Sequence, residues 1–145
     1  MAYLKELKVT FTRRQVDDDL LNKPAQSPEQ VYALFKYLQD EPRQKIVALH
    51  MNPQMEIRSY ETAAIGITSA IVIEPTEVYR NAILAMAHSL IVVANHPCGD
   101  CTPSMQDKVL AERLVSIGKL LEIPLQDFIV VGDSRYSSFR ECKLF

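Results

Sequence analysis

A short apolar segment followed by a loop dense in reactive side chains dominates this chain: SLIVVANHPCGDCTPSMQD, residues 89–107. The run SLIVVA, residues 89–94, is apolar enough to predict a strand in the centre of a sheet. Two prolines and a glycine then predict a stiff, tight loop, and a helix is expected from about Ser104. Loops at the end of a central strand are held by a rigid scaffold and face an open crevice. We therefore expect the functional site here.

The segments on either side of this stretch alternate between strand and helix patterns. Strands are predicted at residues 45–51, 56–65, 89–94, 127–131 and 136–139, with residues 67–73 also extended. Helices are predicted from Pro28 behind a Ser27 cap, from Pro75 to about Ala87, and from Ser104 to about Glu122. Leu4, Leu7, Val9 and Phe11 alternate with polar residues and predict a first strand, followed by a loop over residues 14–26. This alternation predicts an α/β or mixed α+β fold.

Length and composition favour one globular domain over residues 1–145. Hydrophobic residues make up 48% and charged residues 23% of the chain, and the formal net charge is −2. Bulk charge therefore does not favour tight non-specific binding to nucleic acid. No apolar stretch reaches the roughly 20 residues of a membrane span, and no signal peptide is recognisable. Three cysteines without a signal peptide predict reduced thiols and a cytoplasmic protein.

Several blocks of the sequence together resemble the RadC family of JAMM (MPN/JAB-domain) metalloproteases. The family pattern HNHPSGDPTPSxxD matches ANHPCGDCTPSMQD, residues 94–107, in register. Upstream, IVIEPTEVYRNAI resembles the family's IVHPREVFREAI, and downstream, LEIPLQDFIVVGDSRYSSFRE resembles LGIELLDHIIVGDGRYVSLRE. The resemblance covers about residues 27–140. It implies an MPN/JAB-type domain, with a central mixed sheet flanked by helices and related to the deaminase-like fold. We expect the chain to be a stand-alone domain without the family's helix-hairpin-helix region.

The resemblance also implies a chemistry. In JAMM sites, two histidines of an HxH pair and an aspartate hold zinc, and a glutamate accepts a proton from the zinc-bound water. A serine donates a hydrogen bond to the developing oxyanion, and the outcome is hydrolysis of a peptide or isopeptide bond.

Four residues of this chain match those positions, two as metal ligands and two as catalytic residues. His96 and Asp107 match the zinc ligands, and Ser104 matches the serine. Glu61, five residues before Gly66, best matches the catalytic glutamate, with Glu77 and Glu56 as weaker candidates. On spacing alone, Ser104 and Asp107 also fit a helix capping box, and His96 alone fits a structural histidine bonding the turn.

Ala94 stands where the first histidine of the HxH pair belongs. A methyl group cannot ligate, so the site keeps fewer than the three protein ligands of a catalytic zinc. His50 and His88 are the other histidines, and we expect neither to replace the lost ligand. The resemblance therefore predicts a metallohydrolase that is weakened or inactive, a pseudoenzyme in which zinc is weakly bound or absent.

Cys98 and Cys101 replace a serine and a proline of the family pattern. CxxC spacing suits zinc, so either thiolate is a candidate substitute ligand beside His96 and Asp107; two unpaired loop thiols are the simpler alternative. PCGDC also matches half of the zinc deaminase signature, but no upstream H-x-E accompanies it.

Two other classes of function compete with the hydrolase. One is a non-catalytic MPN-type binding module that holds the tail of a protein partner in the same crevice. The other is the DNA-repair association of the RadC name, which the charge of this chain does not support. A protein or peptide is expected as the substrate of the hydrolase or as the partner of the binding module. No association with a membrane is expected for any of the three classes.

Overall fold

A five-stranded mixed sheet with helices on both faces forms the body of the protein. The structure is a computed structural model and describes residues 1–16, 25, 27–66 and 73–145. In chain order the elements are α1 (Pro28–Phe35), a 3-10 helix (Lys36–Asp40), β1 (Lys45–Met51), β2 (Ile57–Ile65), α2 (Pro75–Leu84), β3 (Ser89–Asn95), α3 (Met105–Leu121), β4 (Leu125–Gly132) and β5 (Arg135–Ser138). The predicted mixed α/β architecture is confirmed.

The strand order β2-β1-β3-β4-β5 puts β3 in the middle of the sheet. All seven residues of β3 are buried, as its apolar run predicts. β3 and β4 are parallel and connected through α3, whereas the other neighbouring pairs are antiparallel. The end of β3 therefore opens directly into the loop that leads to α3.

Alternate side chains of the strands divide the core between the two sheet faces. One face, with Ala48, Val92 and Ala94, packs against α2 and α3. The other face, with Leu49 and Val93, packs against α1 and the 3-10 helix. No helix in the described part of the chain is both long and apolar enough to cross a membrane.

Two helices begin as the sequence predicts. α1 starts behind Ser27, whose N–H donates to Oε1 of Gln30 at 3.3 Å. α3 starts behind Ser104, whose side chain accepts from the N–H of Asp107. Both are capping boxes, in which the cap and the third helical residue satisfy each other's backbone donors.

The prediction of a first strand in residues 1–16 is wrong. These residues have no regular secondary structure, and Leu4, Leu7 and Phe11 are strongly exposed. The alternating pattern is present, but a strand also needs a neighbour to pair its backbone. Among described residues, hydrogen bonding from this segment to the sheet is limited to Arg14, which donates to the hydroxyl of Tyr60 at 2.7 Å.

One predicted helix ends earlier than expected, and two predicted segments lie mostly outside the described residues. α2 ends at Leu84 instead of about Ala87, and both Ile83 and Met86 are exposed. Met86 has φ of 55°, a left-handed conformation that ends the helix. Most of the predicted loop 14–26 (residues 17–24 and 26) and most of the extended segment 67–73 (residues 67–72) lie outside the described residues.

Candidate active site

His96 and Asp107 meet in the loop between β3 and α3. His96 follows the last residue of β3, and its N–H donates to the carbonyl of Val131 in β4 at 2.9 Å. Asp107 is the third residue of α3. Nε2 of His96 lies 2.8 Å from Oδ2 of Asp107, and the two side chains are only 12% and 4% exposed. The loop and the first turn of α3 therefore bring these two side chains together.

The backbone of the loop is fixed by the turn between β4 and β5. The N–H of Asp133 donates to the carbonyl of Gly99 at 2.8 Å, and the hydroxyl of Ser137 donates to the carbonyl of Cys101 at 2.6 Å. A Cβ on Gly132 would lie 2.6 Å from the carbonyl oxygen of Gly99. This close approach explains why glycine occupies that position, and it gives the loop a rigid base.

Asn95, directly before His96, also anchors the end of β3, on the other sheet face. Its side-chain amide donates to the carbonyls of Leu38 and Arg43, at 3.1 Å each. Its oxygen accepts from the N–H of Lys45 at 2.6 Å. Asn95 is fully buried and satisfied, and it fixes the strand end from which His96 projects. Sequence reasoning did not assign it a role, although it belongs to the matched NHP block.

Hydrogen bonds set the protonation of the histidine–aspartate pair. Nδ1 of His96 lies 2.9 Å from the carbonyl of Asp100 and must donate to it, so Nε2 faces the Asp107 carboxylate. The hydrogen bond to Asp107 raises the pKa of His96, although burial opposes this. Burial works to raise the pKa of Asp107, but the hydrogen bonds from His96 and Ser104 outweigh it and the pKa is lowered. Both shifts favour the charged form of the pair, in which the proton is on His96 and Asp107 is ionised.

Ser104 is both a helix cap and a neighbour of this pair. Its N–H donates to Oδ2 of Asp107 at 2.9 Å, and its hydroxyl oxygen accepts from the N–H of Asp107 at 3.1 Å. The capping-box alternative is thus realised in the structure. Because the hydroxyl oxygen acts as an acceptor, its proton remains free to be donated to another group.

Ala94 lies on the same sheet face as His96, two residues earlier in the chain. It is fully buried, and it pairs with Ile46 of β1 and Val130 of β4. Its methyl group packs in the core against α2 and α3. Residue 94 is the position of the first histidine in the HxH pair, and here its side chain makes only apolar contacts.

Glu61 lies on β2, opposite Ala48 of β1, and on the same sheet face as Ala94. One carboxylate oxygen, Oε2, accepts a hydrogen bond from the side chain of Asn81 in α2. The other oxygen, Oε1, is buried and has no hydrogen-bond partner among the described residues. Burial raises the pKa of Glu61, as a proton acceptor requires. No hydrogen bond among the described residues joins Glu61 to His96 or Asp107.

The weaker candidates for the base are placed differently. Glu77 is exposed on α2. Glu56 accepts from the side chain of Asn52 at 2.8 Å in the turn between β1 and β2. Of the three glutamates, only Glu61 is on a strand within the sheet. Asn81, which orients Glu61, was not predicted, and no feature of its local sequence distinguishes it.

The remaining histidines lie at the other end of the sheet from Ala94. On β1, the residue beside Ala94 is Ile46, and His50 is four residues further along. That separation is about 13 Å in a strand. His88 precedes β3 and donates its N–H to the carbonyl of Met51 at 2.8 Å. Neither imidazole is placed to replace the missing ligand.

The cysteines do not complete a set of ligands in this geometry. Cys98 is exposed and Cys101 is half-buried, and both are free thiols. Within residues 1–16, 25, 27–66 and 73–145, no group of three or more His, Cys, Asp or Glu side chains is placed to hold a metal ion. Cys101 instead packs against Gly132 and the adjoining core.

Comparisons with known proteins agree with this architecture. A family profile described as RadC-like JAB domain matches residues 25–144. A UPF0758 protein of Methanosarcina acetivorans is 38% identical over 116 residues, which is 79% of this chain and 51% of the relative. Those of Desulforamulus reducens and Chlorobaculum parvum are 38% and 36% identical, over 78% and 86% of this chain and 50% and 56% of the relative.

The fold and the site together define a JAB-type domain. More narrowly, the chain belongs to the RadC-like JAB domain family. It spans about half the length of the curated relatives it matches, at 51% of the Methanosarcina acetivorans protein.

Proposed function

We propose that this chain is a RadC-like metallohydrolase domain, of peptidase or isopeptidase descent, whose hydrolytic site is disabled at Ala94. One observation carries the proposal. The buried methyl group of Ala94 lies on the face of β3 that leads to His96, where the third protein ligand of a zinc ion would be needed. His96 and Asp107 bind each other directly. Ser104, the proposed hydrogen-bond donor, lies beside this pair, and Glu61, the proposed base, lies on the same sheet face as Ala94.

The residues present do not fit a catalytic zinc ion. Such a site needs three protein ligands and an open position for water. Here one imidazole and one carboxylate converge, and the described part of the chain adds no third ligand. Moreover, Nε2 of His96, which would be the metal-binding atom, is held against Asp107 through a proton. No hydrolytic step through zinc follows from this arrangement.

A cavity beside the site is suited to binding part of a protein partner. A cavity of about 250 Å³ lies beside Asp107, between the start of α3 and the start of β1. Its walls include the apolar side chains of Ile46, Ile73, Val109 and Leu110, with Gln44 and Arg113 among the polar ones. An apolar side chain from an extended protein tail would fit such a cavity, which supports the alternative of a non-catalytic binding module.

Metal analysis of the purified chain tests the first part of the proposal. We expect far less than one zinc per chain in the wild type. In Ala94→His, an imidazole two residues before His96 on the same strand face would supply the third ligand, so zinc affinity is expected to rise by orders of magnitude. Ala94→Leu, a side chain of similar bulk without a ligand atom, is the matched control and is expected to leave zinc affinity unchanged.

Two further measurements keep the test decisive. Ala94→Cys offers a smaller ligand in case histidine does not fit the core, and thermal melting checks that each variant folds. Peptidase or isopeptidase activity is expected only in a variant that binds zinc, and it should disappear when Glu61→Gln is added. Stoichiometric zinc or hydrolysis in the wild-type protein would overturn the proposal.

A further inference from the structure

Residues 1–12 form an exposed apolar segment that the proposed function does not use. Leu7, Val9 and Phe11 are 78%, 46% and 64% exposed, and they alternate with the polar Lys8 and Thr10. A period of two is the pattern of a strand with one buried face. The segment therefore has the side-chain pattern of a strand but no partner for its backbone among the described residues.

The sheet offers an unpaired edge close to this segment. In the described part of the chain, β2 pairs with β1 on one side only, and it is the outermost strand. It is nine residues long, and Tyr60 and Ile65 are 37% and 56% exposed. A long edge strand with open N–H and C=O groups and exposed apolar side chains is a template for pairing with another strand.

Arg14 fixes where the segment leaves the body. Its guanidinium lies 5.3 Å and 5.7 Å from the ring centres of Tyr37 and Tyr60, and it donates to the Tyr60 hydroxyl. Further along the chain, the N–H of Ala25 donates to the carbonyl of Met55 at 2.8 Å. Arg14 is therefore held beside the middle of β2, and Ala25 is held just before the start of β2.

This geometry limits pairing within one molecule. Residues 3–13 would span about 33 Å as a strand, whereas only about 16 Å of β2 remains between Tyr60 and Ile65. At most half of the segment can therefore lie along its own β2. In the structure none of it does, although Arg14 holds it nearby.

We propose that two copies of this chain associate by exchanging these segments, each copy adding residues 3–11 as an edge strand beside β2 of the other. A reciprocal exchange of identical elements gives a closed two-fold dimer. It pairs the free edge of β2 and covers Leu7, Val9 and Phe11 in one step. The acceptor strand β2 also carries Glu61, so the interface would lie on the strand next to the candidate active site.

Sedimentation velocity over a concentration series measures the association of the intact chain. The wild type is expected to form a dimer reversibly. Phe11→Asp is expected to weaken the dimer about tenfold or more, because it places a charge on the covered face. Leu120→Asp is the matched control, since Leu120 is 82% exposed on α3 and lies outside both segments, and it should leave association unchanged.

A pair of proline variants tests for strand pairing specifically. Neighbouring residues of an added edge strand point their N–H groups alternately to the partner strand and to solvent. Of Val9→Pro and Thr10→Pro, one is therefore expected to weaken the dimer about tenfold or more, and the other to have little effect. Neither should change the thermal stability of the monomer, because among described residues the hydrogen bonding from this segment to the sheet is limited to Arg14.

Several results would overturn the proposal. These are a wild-type monomer at all concentrations, a dimer insensitive to Phe11→Asp, or equal effects of the two proline variants. A monomer with slow hydrogen exchange at residues 5–11 would instead indicate pairing within one molecule, and it would also exclude the exchange.

Discussion

His96 and Asp107 bind each other directly, with 2.8 Å between Nε2 and Oδ2, and together they link the end of β3 to the start of α3. In a working JAMM site these two atoms would face a metal ion. Here a direct hydrogen bond joins them. The pair should therefore contribute to stability in a chelated, metal-free protein.

Removing the imidazole is expected to be costly. His96→Ala leaves the buried carboxylate of Asp107 without its cationic partner, and we expect a loss of about 3 kcal/mol in the free energy of unfolding. Glu74→Gln removes an exposed ion pair, in which Nη2 of Arg113 lies 3.0 Å from Oε2 of Glu74. This substitution should cost at most about 0.5 kcal/mol. Urea unfolding with a chelator present measures both. A His96→Ala protein that matches the wild type in chelator but not in zinc would assign the stabilisation to metal.

His50 gives the protein an expected dependence of stability on pH. It is buried in β1, with Nδ1 2.8 Å from the hydroxyl of Ser59, and Nε2 has no hydrogen-bond partner in the part of the chain that the structure describes. Burial lowers the pKa of His50 to about 4, from an ordinary value of 6.5. Between these values the unfolded chain binds more protons than the folded one, so stability falls as the pH falls through this window, by about 3 kcal/mol in all.

The comparison of the wild type with His50→Gln isolates this contribution. The glutamine variant keeps a polar side chain but cannot take up a proton. Its free energy of unfolding should therefore decline less than that of the wild type between pH 6.5 and pH 4, by about 3 kcal/mol. Parallel curves for the two proteins would mean that His50 is protonated with little penalty in the folded state.

Gly132 controls the position of the reactive loop. A Cβ there would meet the carbonyl oxygen of Gly99 at 2.6 Å and the backbone nitrogen of Cys101 at 2.9 Å. Gly132→Ala must therefore push the loop away from the turn between β4 and β5, and we expect a loss of about 2 kcal/mol in stability. Asp133→Ala, at the exposed neighbouring residue, keeps the Cβ and removes only the carboxylate; it should cost about 0.5 kcal/mol or less. Thermal unfolding would compare them, and equal losses would count against a steric cause.

Much of the fold and half of the site could be predicted from the sequence, because the signals there are local. The apolar run before His96 determines the central strand, and Ser104 with Asp107 determines the start of α3. The spacing of His96 and Asp107 then brings them together through a tight loop. Each of these features depends on residues close together in the chain.

The failures come from contacts between distant segments. Leu7, Val9 and Phe11 alternate as a strand should, yet pairing depends on a neighbour that the pattern does not identify. The hydrogen bond between Glu61 and Asn81 joins β2 to α2 across 20 residues of chain. The sequence next to either residue contains no signal that predicts this contact. Likewise, the packing of Cys101 against Gly132 depends on how β4 and β5 turn back onto the loop.

The exposure of the three thiols predicts an order of reactivity. Cys98 and Cys142 are exposed, whereas Cys101 is half-buried beside Gly132. A thiol reagent should therefore modify Cys98 and Cys142 several-fold faster than Cys101, as mass spectrometry of peptides from a time course would measure.

Added zinc should leave the rate at Cys98 unchanged, because no three-ligand group is assembled around it in the described residues. Cys142, far along the chain from the His96 loop, serves as the internal reference in each sample. Selective slowing of Cys98 or Cys101 by zinc, reversed by a chelator and absent in His96→Ala, would instead place that thiolate in a rearranged metal site with His96.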